Sequence, residues 1–163
     1  MKRIYFIRHA KSSWDNPQLS DHDRPLNKRG IKDAPRVAKY LHDNGENIDF
    51  ILSSTAQRAR STAEAFKREY DLPDKAFMTD GNLYHAPPDR LIAALGVVPD
   101  EYEGIAVFAH NPGMTELAGR LAPYRIDNVP TCGVTITELS SDLEDCQLSD
   151  FNFIDLVTPK GIS

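Results

Sequence analysis

The sequence of 163 residues predicts an α/β fold, a three-layer α/β/α sandwich with a mainly parallel central sheet and one antiparallel strand. Two observations predict it. Short apolar runs rich in β-branched and aromatic residues alternate with segments of helical periodicity, which is typical of a parallel sheet covered on both faces. Late in the chain two strand-like runs follow one another without a helix between them, which predicts the antiparallel strand. The length fits a single domain over residues 1–163.

The predicted strands are short apolar runs that end at turn-forming or charged residues. The run at 104–109 is the most apolar, and the run at 2–7 stops at the charged Arg8. The runs at 134–139 and 151–157 alternate apolar with polar residues, as sheet members with one solvated face do. The full set of predicted strands is 2–7, 49–54, 76–78, 104–109, 134–139 and 151–157.

Helical spacing of apolar residues predicts helices over 30–41, 56–70, 90–95 and 114–121. Gly45 provides a stop signal after the first helix, and Pro112 opens the last one at a position that proline favours. Between the first strand and the first helix, residues 10–28 are rich in proline, asparagine and aspartate. Long connections without secondary structure inside compact domains are usually functional, so this loop is expected to contribute to a site.

Composition excludes some classes of partner and compartment. Nineteen Lys and Arg against 24 Asp and Glu give a net charge of -5, without the basic field that non-specific nucleic-acid binding requires. The apolar run at 4–7 is too short for a signal-peptide core or a membrane span. We therefore expect a cytoplasmic protein with neither nucleic acid nor membrane as a partner. Cys132 and Cys146 lack a CxxC spacing and are expected as reduced thiols, although one bridge between them stays open.

Several common signatures are absent from the sequence, which contains no GxxxxGK[ST], GxGxxG, GxSxG or HExxH pattern. What recurs is a histidine at the end of a strand. His9 follows the first predicted strand, His110 follows the fourth, and the second runs into a segment that carries Arg58. Because ligands of open α/β sheets bind beyond the carboxyl ends of the strands, one cleft is expected to collect these side chains together with Arg8.

These residue types indicate phosphoryl chemistry. Imidazole is a nucleophile toward phosphorus, and arginine offers paired, permanently charged donors to phosphoryl oxygens. Arg58 also falls in the first turn of a helix, where free backbone N–H groups favour an anion. Arg60 is expected to face away from Arg58 as a solvated charge, because two helical residues span about 200° of rotation.

The motifs together resemble the histidine phosphatase superfamily, also called the phosphoglycerate mutase-like or RHG superfamily, over nearly the whole chain. Within it they are similar to the small SixA-like phosphohistidine phosphatases. The segments that carry the resemblance are RHAKS at 8–12, DRPLNKRG at 23–30, the segment 53–62 with Arg58, and HNPG at 110–113. The resemblance implies a phosphoglycerate mutase-like fold, His9 as the phosphorylated nucleophile, and a phosphate pocket formed by Arg8, Arg58 and His110.

The sequence departs from the family pattern at two places. Ala10 stands where glycine is usual, which is a small change. Mutase-like members place a glutamate after the third strand to protonate the leaving group, whereas residues 80–85 read DGNLYH. His85 and Asp80 are the two residues of this segment considered as replacements for that glutamate, so the identity of a general acid stays open.

Four further residues are weighed as contacts of the substrate: Lys11, Arg24, Asn111 and His85. Lys11 and Arg24 are loop cations for which a solvated role is equally compatible, and Asn111 has helix capping as its simpler explanation. Trp14 is expected to anchor the loop to the core, the usual role of a lone tryptophan, rather than to stack on a ligand.

The sequence therefore predicts a metal-independent, cofactor-free phosphatase that forms a phosphohistidine on His9 and acts on a phosphohistidine-bearing protein. Two alternatives remain: a phosphatase of a small phosphomonoester or sugar phosphate, and a non-catalytic domain that binds a phosphorylated ligand. A metallohydrolase built on His9, His22 and His110 is disfavoured, because these residues share no ligand spacing. The oligomeric state and the physiological substrate stay open.

Overall fold

The computed structural model describes residues 1–162, which form one six-stranded sheet with helices on both faces. Each predicted strand is present, with ends that differ by a few residues. The strands are β1 Lys2–Arg8, β2 Phe50–Ser53, β3 Phe77–Thr79, β4 Gly104–Ala109, β5 Val134–Leu139 and β6 Phe151–Val157.

The sheet has the order β3-β2-β4-β1-β5-β6. Strands β3, β2, β4 and β1 are parallel neighbours, while β5 pairs antiparallel with both β1 and β6. Only β5 therefore runs against the others in the described chain, which confirms the prediction of one reversed strand. The arrangement also brings the carboxyl ends of β2, β4 and β1 side by side.

Four α-helices cover the sheet: α1 Lys28–Asp43, α2 Gln57–Glu69, α3 Pro88–Ala93 and α4 Gly113–Leu121. Successive strand side chains point to opposite faces, and this alternation divides the core into two layers. One layer joins the sheet to α3 and α4 through Phe6, Leu52, Val107, Leu91, Met114 and Leu117. The other joins it to α1 and α2 through Ile7, Ile51, Phe108, Val37, Leu41 and Phe66. The three-layer sandwich expected from the sequence is confirmed.

Two helices begin earlier than the sequence predicted, and in the first of them a capping side chain explains the difference. The first helix begins at Lys28, two residues before the predicted start, because the Asn27 side chain accepts a hydrogen bond of 2.9 Å from the backbone of Gly30. The third helix begins at Pro88 and continues as a 3₁₀ turn over Ala94–Val97.

The long loop between β1 and α1 folds back on itself. Ser12 and Leu26 form an isolated antiparallel bridge, and the backbone N–H of Asn27 donates to the carbonyl of Lys11 at 2.9 Å. Gly30 lies under this closure, and a Cβ there would collide with the Lys11 carbonyl. The base of the loop is thus pinned beside β1.

Both cysteines, Cys132 and Cys146, are free thiols. Across residues 1–162 the structure contains no helix that combines the length and apolar character needed to cross a membrane.

Candidate active site

The candidate catalytic side chains lie at the carboxyl ends of three parallel strands. His9 follows β1, His110 follows β4, and Arg58 lies in the first turn of α2, just beyond β2. Because these strands are neighbours, the side chains meet: the rings of His9 and His110 have centroids 5.2 Å apart, and Nε of Arg58 is 3.4 Å from Nε2 of His9. The structure therefore brings together the residues that the sequence placed at one cleft.

These side chains line a cavity of about 330 Å³ at this edge of the sheet. Its wall carries four cationic side chains and one carboxylate, in a chain whose net charge is -5. Such a local excess of positive charge favours an anionic ligand. The lining residues are Arg8, His9, Lys11, Ser12, Trp14, Asp21, Arg24, Arg58, His85, His110, Asn111 and Thr131.

His9 is held in one tautomer. Its Nδ1 lies 2.7 Å from the backbone carbonyl of Ala10, which only accepts, so Nδ1 carries the proton. Nε2 consequently carries the lone pair of the ring, which accepts a long hydrogen bond of 3.4 Å from Nε of Arg58. Burial, reinforced by the charges of Arg58 and Arg8, lowers the pKa of His9 to about 3. This lowered pKa favours a neutral ring at pH 7, with its lone pair on Nε2.

His110 is also neutral. Burial, together with the neighbouring His9 and Arg58, lowers the pKa of His110 to about 2. Its Nε2 lies 2.8 Å from Oγ of Ser54, which already accepts from the backbone N–H of Ala56. We assign the Ser54 hydroxyl as the donor to Nε2, which leaves the His110 proton on Nδ1.

Within residues 1–162, two buried side-chain nitrogens have no hydrogen-bond partner: Nε of Arg8 and Nδ1 of His110. Both belong to residues that line the cavity. Buried polar atoms are almost always paired, so two orphans in one small site indicate a ligand that supplies acceptors. Phosphoryl oxygens are acceptors of this kind.

Asp21 was missed by the sequence reasoning. Its Oδ2 accepts from Nη2 of Arg58 at 3.0 Å, and the Tyr84 hydroxyl donates a short hydrogen bond to the same oxygen. These contacts hold the pKa of the Asp21 carboxyl well below its usual range, with the Tyr84 bond the largest cause. The only signal in the sequence was an acidic residue three positions before Arg24 in the long loop.

The four residues weighed as substrate contacts all line the cavity. The Arg24 donors are occupied, since its guanidinium bonds Oγ of Ser12 at 2.6 Å and Oδ1 of Asp21 at 3.2 Å. Asn111 accepts from the backbone N–H of Thr115 at 3.1 Å and thereby caps the first turn of α4. The His85 ring packs on Tyr84 with centroids 3.9 Å apart, and Lys11 is half-buried at the cavity wall.

The expectation that Trp14 anchors the loop to the core is wrong. Its side chain is 71% exposed and lines the cavity, because the Arg24 guanidinium, 3.6 Å from the ring centroid, supports the indole in place of core contacts. Arg60 lies outside the cavity lining but is half-buried rather than solvated, since its Nε donates to the Thr55 carbonyl at 3.0 Å.

Asp80, considered as a replacement acid, and His22, considered as a metal ligand, both lie outside the cavity lining. The Asp80 carboxylate accepts from the backbone N–H of Asn82 at 2.9 Å and caps a 3₁₀ turn outside the cavity lining. His22 lies 2.9 Å from Oγ1 of Thr55, also outside the lining. In the part of the chain that the structure describes, no three or more His, Cys, Asp or Glu side chains group closely enough to hold a metal.

The chain is similar to known proteins in both sequence and fold. The family model of the histidine phosphatase superfamily (branch 1) matches residues 4–77. An uncharacterized chloroplastic protein of Arabidopsis thaliana is 33% identical over 150 residues, which cover 84% of this chain and 66% of that protein. The chain thus spans about two thirds of that relative. An uncharacterized protein of Mycobacterium tuberculosis is 32% identical over 151 residues, covering 86% of this chain and 92% of the relative.

Among solved structures, a candidate phosphohistidine phosphatase, SixA, of Agrobacterium tumefaciens superposes with a TM-score of 0.80 at 26% identity, covering 97% of this chain and 98% of that one. The chain therefore belongs to the histidine phosphatase superfamily, as a SixA-like phosphatase.

Proposed function

We propose that this protein is a metal-independent phosphatase that works through a phosphohistidine on His9, with a phosphohistidine-bearing protein as its substrate. The observation that carries the proposal is the combination of a lone pair on Nε2 of His9, which accepts only a long hydrogen bond from Arg58, with two unpartnered buried nitrogens, Nε of Arg8 and Nδ1 of His110. A phosphoryl group bound there meets a nucleophile and donors at once.

The reaction has two displacements. Nε2 of His9 attacks phosphorus, the bond between phosphorus and the substrate's imidazole nitrogen breaks, and the departing imidazole takes a proton from water. Water then attacks the phosphohistidine, which returns His9 to its neutral form and releases inorganic phosphate. Throughout, Arg8 and Arg58 supply fixed positive charge to the phosphoryl oxygens, a role that other phosphatases give to a metal ion.

The charge state of the cavity favours nitrogen over oxygen as the leaving atom. Asp21 is the one carboxylate that residues 1–162 contribute to the lining, and Tyr84 and Arg58 hold it ionised. The burial of His9 and His110 keeps both rings neutral. None of these three groups is a strong acid toward an alkoxide, which is a strong base and a poor leaving group. An imidazole is far less basic and leaves more easily, so a phosphoramidate suits this site better than an alkyl phosphate. The similarity to the Agrobacterium protein supports the same substrate class.

One residue favours the alternative of a small phosphomonoester. His85 lies in the cavity wall with an exposed side chain, at the end of the segment where related enzymes carry their acid. If His85 protonated an alkoxide, the cavity would accept sugar or alkyl phosphates. Its ring packs against Tyr84, which itself bonds Asp21.

The proposal is tested by single-turnover labelling of chelator-treated protein with a protein phosphorylated on histidine. Rapid quenching should trap an acid-labile, base-stable label, and peptide mapping should place it on His9. His9→Ala should remove the label and nearly all turnover. His42→Ala is the matched control, since His42 is exposed and bonds Glu69 at 2.8 Å outside the cavity, and it should label like the wild type. Label on another residue, or activity that requires added metal, would overturn the proposal.

A further inference from the structure

Trp14 is the single tryptophan of the chain and an unusual one. Among the large hydrophobic side chains of residues 1–162, only Met1 is more exposed than Trp14, which is 71% exposed. The exposed indole forms part of the wall of the cavity that holds His9. Exposing a side chain of this size has a free-energy cost, and in a binding cavity that cost is offset when a ligand covers it.

The indole is fixed before any ligand arrives. The Arg24 guanidinium lies 3.6 Å from the ring centroid and covers one face. Arg24 itself is only 7% exposed and is tied to Oγ of Ser12, the carbonyl of Ser13 and Oδ1 of Asp21. A buried cation with this many contacts is a rigid support, so little conformational entropy is lost when the exposed part of the ring is covered.

Trp14 lines the same cavity as His9 and Arg58 and is linked to Arg58 through two intervening residues. Its ring touches Arg24, Arg24 bonds Oδ1 of Asp21, and Oδ2 of Asp21 bonds Arg58. Because Trp14 and Arg58 line one cavity of about 330 Å³, the substituent of a phosphoryl group held by Arg58 lies in a space that Trp14 helps to enclose. We propose that Trp14 is a specificity-determining residue, stacking its exposed ring on a planar, uncharged aromatic group bonded to phosphorus, such as the imidazole of phosphohistidine.

The Arg24 guanidinium that covers one face of the indole determines which kind of group the other face binds. A guanidinium on one face withdraws electron density from the ring, which weakens attraction for a second cation but leaves stacking with a neutral ring intact. A flexible alkyl substituent gains less from a rigid flat surface. The inference deepens the proposed function and rests on it for the identity of the natural leaving group, but ring recognition itself can be measured without turnover.

The binding test compares phenylphosphonate with methylphosphonate, two stable anions that differ in the ring. Calorimetric titration of the wild type should give binding about five- to tenfold tighter for phenylphosphonate, the range expected for aromatic stacking. In Trp14→Ala this preference should fall to twofold or less while methylphosphonate binds as before, and Trp14→Phe should retain most of it. Leu19→Ala, a change at an exposed residue of the same loop outside the cavity lining, should behave as wild type.

A kinetic test separates recognition from damage to the loop. With a phosphohistidine peptide, Trp14→Ala should raise KM about five- to tenfold and leave kcat within twofold. With acetyl phosphate, whose leaving group has no aromatic ring, both constants should stay near wild type. Equal losses on both substrates, or equal weakening of both phosphonates, would overturn the inference and show a structural role.

The two proposals fail in different ways. A wild type that hydrolyses neither substrate refutes the proposed function, and the phosphonate comparison still decides the role of Trp14. A phenyl preference that survives Trp14→Ala refutes the inference and leaves the phosphatase reaction untouched. Because Trp14 is the single tryptophan, its fluorescence gives a direct readout: phenylphosphonate should change the wild-type emission, and methylphosphonate should change it much less.

Discussion

Asp21 binds the same arginine that is proposed to hold the phosphoryl group. Its backbone carbonyl accepts from Nη1 of Arg58 at 2.6 Å, and its Oδ2 accepts from Nη2 at 3.0 Å. With both terminal nitrogens turned toward Asp21, the Nε–H of Arg58 is left to face His9 at 3.4 Å. The carboxylate therefore orients the guanidinium, but it also puts a negative charge in the cavity that an anionic ligand enters.

The first prediction concerns the two opposing effects of Asp21, which orients Arg58 and repels an anionic ligand. Asp21→Asn should bind tungstate about fivefold more tightly than the wild type, since removing one like charge near an anion is worth roughly 1 kcal/mol at a partly exposed site. Asparagine keeps an acceptor oxygen, and the backbone carbonyl of residue 21 still holds Nη1 of Arg58. Calorimetric titration at low salt measures the change.

Asp23→Asn is the matched control, because Asp23 is an exposed acid of the same loop that lies outside the cavity lining. It should leave tungstate affinity nearly unchanged. If Asp21→Asn instead binds tungstate more weakly, then holding Arg58 in place matters more than the charge.

The second prediction separates two arginines of one helix. Arg58 is buried and contacts His9, whereas Arg60 is bonded to the Thr55 carbonyl and to Oε1 of Gln57. Removing a donor aimed at developing charge typically slows a reaction about a hundredfold to a thousandfold. Arg58→Ala should lose activity by that order, and Arg60→Ala should stay within about threefold. Comparable losses in kcat/KM on an aryl phosphate would refute this division.

The third prediction follows from the two neutral histidines. The pKa values of His9 and His110 are lowered to about 3 and about 2, against an ordinary value of 6.5. Below pH 6.5 the unfolded chain therefore binds protons that the folded protein does not. The free energy of unfolding should fall as the pH is lowered from 6.5 toward 3, with each histidine contributing up to about 1.4 kcal/mol per pH unit.

Urea unfolding at pH 7, 6 and 5 measures this slope. His110→Gln removes one of the two groups, so its stability should depend less steeply on pH between 6 and 5 than that of the wild type. Asp21 does not confuse the measurement, because a carboxyl whose pKa is lowered loses its contribution only below its ordinary value of 3.8. An unchanged slope in His110→Gln would contradict the buried, neutral state of this ring.

The histidines and Arg58 were predictable because they depend on sheet geometry alone. Parallel neighbours end at one edge, so a residue that directly follows β1 must lie near one that follows β4. The sequence also predicted one reversed strand late in the chain, from the missing helix between the last two strands, and the structure shows that this strand is β5.

The loop residues were not predictable, because tertiary contacts fix their positions. Trp14 is held in the cavity wall by Arg24, and Asp21 by Arg58, a residue 37 positions away along the chain. The bridge between Ser12 and Leu26 creates this arrangement, and the sequence of the loop carries no periodicity that would reveal it. The general tendency of a lone tryptophan to pack in the core therefore gave the wrong expectation for Trp14, which is exposed.

The last prediction concerns the order of substrates and depends on the lack of an acid. A positioned acid that protonates an alkoxide is worth roughly a hundredfold to ten-thousandfold in rate. With Asp21 ionised and both buried histidines neutral, alkyl phosphates should lack that gain. Phenolates leave easily, and imidazole leaves with a proton from water. We therefore expect kcat/KM to decrease from phosphohistidine protein to aryl phosphate to sugar or alkyl phosphate, measured on one preparation. If a sugar phosphate is instead the best substrate, His85→Ala should abolish that preference and Asp80→Asn, outside the cavity lining, should leave it intact. That pair of results would replace the phosphohistidine proposal with the small-molecule alternative.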